Sequence, residues 1–233
     1  MEKIPYSIPT INHLNRLWIR PLFRGVFHLI SQVGITGKKN IPAQGPYIAA
    51  INHLSLFEPP FIVAFWPKAL EPVGAVEIWS KPGQGILAKF YGGIQVHRGE
   101  YDRQLIDKML AALGAGYALL IAPEGGRSHA PGLRRGKPGV AFIVNKTNIP
   151  VLPVGIVGST DDFLDKALHA KRPRLEMHIG KPLHLPPVTG KGPEKHASLQ
   201  RNVDQIMLAI AELLPPEYRG VYANLDLDAL EPV

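Results

Sequence analysis

Short apolar runs alternate with segments of helical periodicity along this chain, and this alternation limits the possible folds more than any other feature. Strand-like runs lie at residues 47–51, 94–97, 117–122, 151–157 and 175–179. The last amphipathic helix carries Leu199, Val203, Ile206, Ile210 and Leu213. Strands that alternate with helices predict an α/β fold with a mainly parallel, mixed sheet flanked by helices.

Residues 11–33 precede the first strand-like run and have the pattern of an amphipathic helix or helix pair, which Pro21 should kink or split. One stripe is apolar and consists of Ile11, Leu14, Trp18, Leu22, Leu29 and Val33. The opposite side is basic and consists of Arg16, Arg20 and Arg24. Such a helix either docks on the domain or lies in a membrane plane, with the arginines at lipid headgroups and Trp18, Phe23 and Phe27 at the interface. We predict an N-terminal amphipathic helical segment over 1–34 and one α/β domain over 35–233.

Composition and charge narrow the class of protein. The chain has 233 residues and no cysteine, which excludes disulfides, cysteine-based zinc sites and a cysteine nucleophile. Its sequence has neither a signal-peptide pattern nor an uncharged apolar stretch of the ~20 residues that span a bilayer. A protein that is soluble or lies on a membrane is therefore predicted.

The net charge of +7 is concentrated in two segments, residues 1–40 and residues 127–146. Phosphates, anionic lipid and nucleic acid are all possible partners for such segments. The basic residues of the first segment lie largely in a helix that also bears Trp and Phe. Those of the second segment follow a glycine turn. The sequence contains no nucleic-acid-binding motif. We therefore favour an anionic lipid surface over nucleic acid.

His53 and Glu58 follow the apolar run 47–51 and could form a proton-abstracting pair. On a regular helix, side chains five residues apart point about 140° away from each other, so the two meet only if a loop separates them. Pro59 disfavours helical backbone at Glu58 and suits a helix start at 59 or 60. Glu58 then either caps that helix, with His53 in a loop hydrogen bond, or fixes the His53 tautomer for general base catalysis.

Two further segments carry phosphate-binding chemistry. Residues 122–128 contain a double-glycine turn that brings backbone amides close to a ligand, followed by Arg127 with its fork of donors. Lys137 and two arginines add positive charge downstream. Residues 93–98 end a strand with Arg98. Each segment is either an ordinary surface loop or part of an anion site.

The segment Asn52-His53-x-Ser55-x-x-Glu58 resembles the Asn-His-x-Ser-x-x-Asp motif of the glycerolipid acyltransferases, most closely the 1-acyl-glycerol-3-phosphate (lysophosphatidate) acyltransferases. Residues 93–98 resemble the family's second motif, and residues 122–128 resemble Phe-Pro-Glu-Gly-Thr-Arg-Ser. Residues 136–139 are similar to the following Lys-x-Gly step, and residues 149–154 to the fourth, proline-containing block. The blocks stand in family order over roughly residues 35–185.

The resemblance implies transfer of a fatty acyl group from acyl-CoA or acyl-carrier protein to the hydroxyl of lysophosphatidate, giving phosphatidate in phospholipid biosynthesis. It implies no metal and no cofactor besides that co-substrate. His53 would be the general base and Glu58 its orienter. Substrate would contact Asn52, Ser55, Arg98, Glu124, Gly125, Gly126, Arg127, Ser128 and Lys137. A lipid acceptor also favours the membrane interpretation of residues 11–33, with a cytoplasmic protein attached peripherally to the inner face of the cell membrane.

The chain departs from the family pattern at three places. Glu58 replaces aspartate, Ala122 and Gly126 replace phenylalanine and threonine, and the Lys-x-Glu-Leu pattern before the second motif is not reproduced around Glu77. These departures leave alternatives open. The acceptor is then another lysolipid or a lipid-linked alcohol, or the chain is a non-catalytic membrane-binding relative.

Overall fold

The computed structural model describes residues 6–97 and 102–224. The helices are α1 (Thr10–Ile30), α2 (Glu58–Phe65), α3 (Gln84–Tyr91), α4 (Arg103–Gly114), α5 (Gly139–Thr147), α6 (Phe163–Leu168) and α7 (Gly192–Ala211). The strands are β1 (Gln32–Thr36), β2 (Ile48–Ile51), β3 (Glu71–Ala75), β4 (Ile94–Val96), β5 (Leu119–Ile121), β6 (Val151–Val157) and β7 (Arg174–Ile179).

The strands form one sheet in the order β1-β7-β6-β2-β5-β3-β4. Neighbouring strands run parallel except β6 and β7, which are antiparallel. The predicted α/β fold with a mainly parallel, mixed sheet is therefore confirmed. Because β2 and β5 are parallel neighbours, the loops that follow them emerge side by side, where such sheets carry their binding sites.

Each face of the sheet has its own hydrophobic core, because side chains alternate along a strand. In β2, Ile48 and Ala50 belong to the core that α4, α5 and α7 cover. Ala49 and Ile51 belong to the core on the other face, with residues of α1 and α2. All four β2 side chains are buried. The continuous apolar run at this position is therefore that of a strand covered on both sides.

Strands β1 and β3 were not predicted from the sequence. Strand β1 begins inside the segment 1–34 that was predicted as helical, continues to Thr36 and pairs with β7 at one edge. Strand β3 reads Glu71-Pro72-Val73-Gly74-Ala75, which contains proline, glycine and an acid. Its Glu71 carboxylate is buried because Arg16 of α1 forms an ion pair with it. The strand therefore depends on a partner that a local pattern cannot show.

Helix α1 runs unbroken from Thr10 to Ile30, and Pro21 lies inside it. Its arginines face the protein, so their predicted place at lipid headgroups is wrong. The Arg16 Nε–H donates to the carbonyl of Tyr91 at 2.8 Å. Arg20 and Arg24 donate to carbonyls at the end of α2, which have no partner within their own helix.

The apolar stripe of α1 faces away from the protein. Leu17 and Leu29 are 75% and 76% exposed, and the exposed part of α1 also includes Ile11, Leu14, Trp18, Leu22 and Val26. The Trp18 ring meets Phe90 of α3 edge-on, with centroids 6.4 Å apart, so the surface extends onto α3. Of the aromatic residues predicted at the interface, Phe27 is instead buried and Phe23 packs against the core. We call this surface, with Ile86 and Phe90, the outer apolar face.

Within residues 6–97 and 102–224, no helix has both the length and the apolar character to cross a bilayer.

Candidate active site

The loops after β2 and β5 meet at the carboxyl edge of the sheet. The Ser128 amide donates to the His53 carbonyl at 2.8 Å, and the His129 amide donates to the Leu54 carbonyl at 3.3 Å. These bonds tie two segments that are about seventy residues apart in sequence. Two of the sequence motifs thus come together as the parallel pairing of β2 and β5 requires.

His53 and Glu58 are in direct contact. The His53 Nδ1 lies 2.8 Å from the Glu58 Oε2, because residues 54–57 form a loop before α2. Glu58 is the first residue of α2 and is followed by two prolines. An ionised carboxylate accepts hydrogen bonds only, so this contact places the proton on Nδ1 and leaves Nε2 as the basic nitrogen. The His53 side chain is 15% exposed, which leaves it accessible from the cavity that it lines.

The Glu58 carboxylate is fully buried and is held by several donors besides His53. The Ser55 amide donates to Glu58 Oε1 at 2.9 Å, and the Leu54 amide donates to the same oxygen at 3.3 Å. The hydroxyl of Ser159, which follows β6 and is itself fully buried, also donates to Oε1. The carboxylate is thereby fixed in position, as buried charged groups require.

Glu124 is buried and is not among the residues that line the cavity, so its predicted contact with the acceptor phosphate stays a prediction. Its Oε1 accepts from the His53 amide and its Oε2 from the Arg134 amide, each at 2.8 Å. Burial raises the pKa of this carboxyl, and the two amide hydrogen bonds oppose that shift. Glu124 therefore joins the His53 loop to the basic loop that carries Arg134.

Asn52 and Ser128 make hydrogen bonds within the protein, and their predicted substrate contacts stay predictions. The Asn52 side chain is buried, donates to the Ile156 carbonyl at 2.9 Å and accepts from the Ile156 amide at 2.7 Å. It thereby fixes the end of β2 to β6. The Ser128 hydroxyl donates to the Ala130 carbonyl at 2.8 Å. Ser55 does line the cavity, and its hydroxyl lies 3.4 Å from Glu58 Oε1.

The glycine turn brings two cationic side chains to the cavity. Gly125 has a φ of +67°, and a Cβ there would lie 2.8 Å from the Lys137 Cδ, so this position requires glycine. The Lys137 stem crosses directly over the turn, and its amide donates to the Pro123 carbonyl at 2.9 Å. Gly126, Arg127 and Lys137 all line the cavity. The predicted contact from Arg98 lies outside the described residues.

Helix α7 and the C-terminal residues support the loops from behind, which was not predicted from the sequence. The Tyr222 hydroxyl accepts from the Gly136 amide at 3.0 Å and donates to Asp204 at 2.7 Å. Burial raises the pKa of Tyr222, so its hydroxyl keeps the proton that it donates. The Tyr218 hydroxyl accepts from the Gly158 amide at 3.2 Å, next to Ser159. Ser159 could have been found by the rule that sites follow strands, since it comes directly after β6.

The cavity beside His53 has a volume of about 930 Å³ and a mostly apolar lining. Its lining includes side chains from α1, α2 and α3 and others from α4, α5 and α7. The polar lining includes His53, Ser55, Arg127 and Lys137, and also charged side chains elsewhere in the chain, such as Glu77, Lys81 and Asp102. Such a cavity suits a ligand with a long hydrocarbon part and an anionic head.

This chain is similar to known proteins both in sequence and in structure. A family model described as acyltransferase matches residues 32–157, which is more than half of the chain. The structure is also similar to the crystal structure of PlsC, the 1-acyl-sn-glycerophosphate (LPA) acyltransferase from Thermotoga maritima. That match has a TM-score of 0.63 and 20% sequence identity, and it covers 90% of this chain and 83% of that one. At this identity the similarity concerns the fold.

Proposed function

The chain belongs to the acyltransferase family, and on this basis we propose that it transfers a fatty acyl group from acyl-CoA or acyl-carrier protein to the hydroxyl of lysophosphatidate, giving phosphatidate. The observation that carries the proposal is the His53–Glu58 contact at a mostly apolar cavity that Arg127 and Lys137 also line. An alcohol acceptor needs the base, a fatty chain needs the apolar lining, and a phosphate needs the cations.

In the proposed reaction, His53 Nε2 takes the proton of the acceptor hydroxyl as its oxygen attacks the thioester carbonyl carbon. The intermediate collapses with cleavage of the carbon–sulfur bond. The proton passes to the leaving thiolate, so the products are an ester and a free thiol. Glu58 keeps the His53 tautomer and stabilises the imidazolium formed in between. Backbone amides of the glycine turn, at Gly126 and Arg127, are the proposed donors to the oxyanion.

Arg127 and Lys137 are the proposed contacts of the acceptor phosphate, with Arg98 as a further predicted contact. We expect Lys137→Met to raise the KM for lysophosphatidate about 10- to 100-fold, since a hydrogen bond to a charged group contributes about 1.5–3 kcal/mol. Methionine keeps the stem that crosses Gly125. The matched control is Arg135→Met, which removes a neighbouring exposed cation that does not line the cavity.

The experiment that tests the function is mass spectrometry of the products formed from a panel of lysolipids and acyl donors. Phosphatidate formation with a KM that responds to Lys137→Met and not to Arg135→Met supports the proposal. Acylation of a different lysolipid or lipid-linked alcohol in preference to lysophosphatidate would show that the acceptor is that other lipid. Absence of transfer from every donor to every acceptor would identify a non-catalytic relative.

The proposal includes peripheral attachment to the inner face of the cell membrane through the outer apolar face. A helix that turns its arginines to the protein and its leucines to solvent suits a lipid surface. We expect the Leu17→Asp/Leu29→Asp variant to lose at least about tenfold in affinity for vesicles that contain anionic lipid, because each leucine contributes apolar burial in the interface. The measurement is vesicle co-sedimentation.

The control for that prediction is Leu168→Asp on α6. Leu168 is 77% exposed, as much as Leu17 and Leu29, but lies outside the outer apolar face. Equal binding by the wild type and the double variant would exclude attachment through α1. Equal losses in the double variant and in Leu168→Asp would show a general response to added negative charge.

A further inference from the structure

The sheet forks between β5 and β3, and the fork joins the two halves of the cavity. Strand β3 pairs with β5 only at Glu71 and Pro72. From Val73 onward β3 pairs with β4 instead, while β5 continues with β2 as far as Ile121. Pro72 has no amide hydrogen with which to continue a ladder. An opening therefore lies beyond Pro72, between the ends of β3 and β5.

The cavity passes through this opening. Val73, Gly74 and Ala75 line it on one side, and Leu120, Ile121 and Ala122 on the other. On one face of the sheet the cavity is bounded by α1, α2 and α3, for example at Phe23 and Ala88. On the opposite face it is bounded by α4, α5 and α7, for example at Ile106 and Ile143. We call these the α1–α3 arm and the α4–α7 arm.

Both arms reach the reacting groups. His53 follows β2, and the glycine turn follows β5, the strand that borders the fork. The proposed reaction brings together two hydrocarbon chains, one on the donor and one on the acceptor. A volume of about 930 Å³ is near the upper end of the ~300–1,000 Å³ found for small-molecule pockets. The reacting centre thus lies where two separate apolar spaces converge.

On the basis of the proposed function, we propose that the two chains occupy separate arms on opposite faces of the sheet. The α1–α3 arm holds the chain of the lysolipid acceptor, and the α4–α7 arm holds the acyl chain of the thioester donor. The two chains meet at His53 beside the fork.

The position of the outer apolar face supports this assignment. Along α1, the exposed Trp18 and Leu22 stand next to Ile19 and Phe23, which line the α1–α3 arm. A lysolipid that leaves a bilayer at this surface therefore enters that arm by the shortest route. The α4–α7 arm is also lined by Gly139 at the exposed start of α5, where a water-soluble donor reaches it from solvent.

The test fills each arm separately. Ala88→Trp narrows the α1–α3 arm and Ile106→Trp narrows the α4–α7 arm, and both positions are half-buried on helices away from His53. Lys89→Trp and Lys108→Trp are the matched controls, since these neighbouring residues are exposed and do not line the cavity. Product mass spectrometry is done first with lysophosphatidates of mixed chain length and one donor, and then with donors of mixed chain length and one lysophosphatidate.

We expect Ala88→Trp to shift the preference among acceptor chains about tenfold towards shorter chains, with the donor preference unchanged. Ile106→Trp should shift the preference among donor chains towards shorter chains by about the same factor, with the acceptor preference unchanged. The expected tenfold shift in preference corresponds to excluding about two methylenes of the substrate chain, at ~0.8 kcal/mol each. If both variants shorten the same substrate chain, a single chain threads the fork and the assignment is overturned. The assignment is also overturned if Ala88→Trp changes the donor preference and Ile106→Trp the acceptor preference, or if neither variant shifts any preference.

Direct binding separates this proposal from the proposed function. Calorimetry measures the affinity for lysophosphatidate and for a non-transferable thioether analogue of the donor. It therefore reports on the occupant of each arm without turnover. Selective loss of lysophosphatidate binding in Ala88→Trp and of analogue binding in Ile106→Trp supports the two arms even if no transfer occurs. Activity with unchanged binding in both variants overturns the arms and leaves the acyl transfer standing.

Discussion

Replacing His53 with alanine should lower acyl transfer to lysophosphatidate by about 10²–10⁴-fold, which is the usual contribution of a positioned general base. The loss should appear in kcat, with a much smaller change in the KM of either substrate. The substitution leaves the apolar lining of the cavity and the side chains of Arg127 and Lys137 in place. The measurement is steady-state kinetics with acyl-CoA and with acyl-carrier protein as donors.

The fold should survive this substitution, because His53 holds its loop through the backbone. Its amide donates to Glu124 and its carbonyl accepts from Ser128, and alanine keeps both groups. Glu58 also retains its bonds from Ser55 and Ser159. His53→Asn is the matched variant, since it supplies an amide donor to Glu58 without a base. Near-normal activity in either variant, with an unchanged melting temperature, would exclude His53 as the base.

Local patterns predicted the features that depend on residues close together in the sequence. Strand β6 was predicted at its observed limits, because a continuous apolar run followed by a loop leaves few alternatives. The loops after β2 and β5 meet because these two parallel strands are neighbours and end at a common edge. The His53–Glu58 contact needed only a loop of four residues and a proline at 59.

Distant partners explain what the patterns missed. The periodicity of α1 showed two faces, but it could not show which one packs against the protein. That choice is made by Glu71 and by the carbonyls at the end of α2, which accept from Arg16, Arg20 and Arg24. The family resemblance implied a ligand contact for Glu124, and no local pattern shows its two amide donors, which lie 71 and 10 residues away.

The second large effect is expected at Glu58. Glu58→Gln keeps the size of the side chain but removes its charge, and its amide can donate to His53 Nδ1. The imidazole then carries its proton on Nε2, where a base is needed. In a comparable triad of a serine protease, an acid-to-amide change of this kind costs ~10⁴-fold in kcat. We expect a loss of about 10³–10⁴-fold, measured as kcat for transfer to lysophosphatidate.

Glu58→Asp tests the departure from the family's aspartate. The carboxylate would withdraw by about one carbon–carbon bond, ~1.5 Å, and could not keep both His53 and Ser159 within hydrogen-bond distance. One charged hydrogen bond contributes about 1.5–3 kcal/mol, so we expect a 10- to 100-fold loss. If Glu58→Asp is instead more active than an inactive wild type, the native chain is a non-catalytic relative.

Ser159→Ala completes a double-mutant cycle with Glu58→Asp. Removing the Ser159 hydroxyl should lower kcat when Glu58 is present, because the carboxylate loses a donor that fixes its position against His53. In the Glu58→Asp background the same substitution should have little effect, since the shorter side chain no longer reaches Ser159. Such coupling is expected only between residues in contact. Additive losses would mean that Ser159 acts on the fold and not through Glu58. In that case the contact with Ser159 would not explain why this chain has glutamate and not aspartate at position 58.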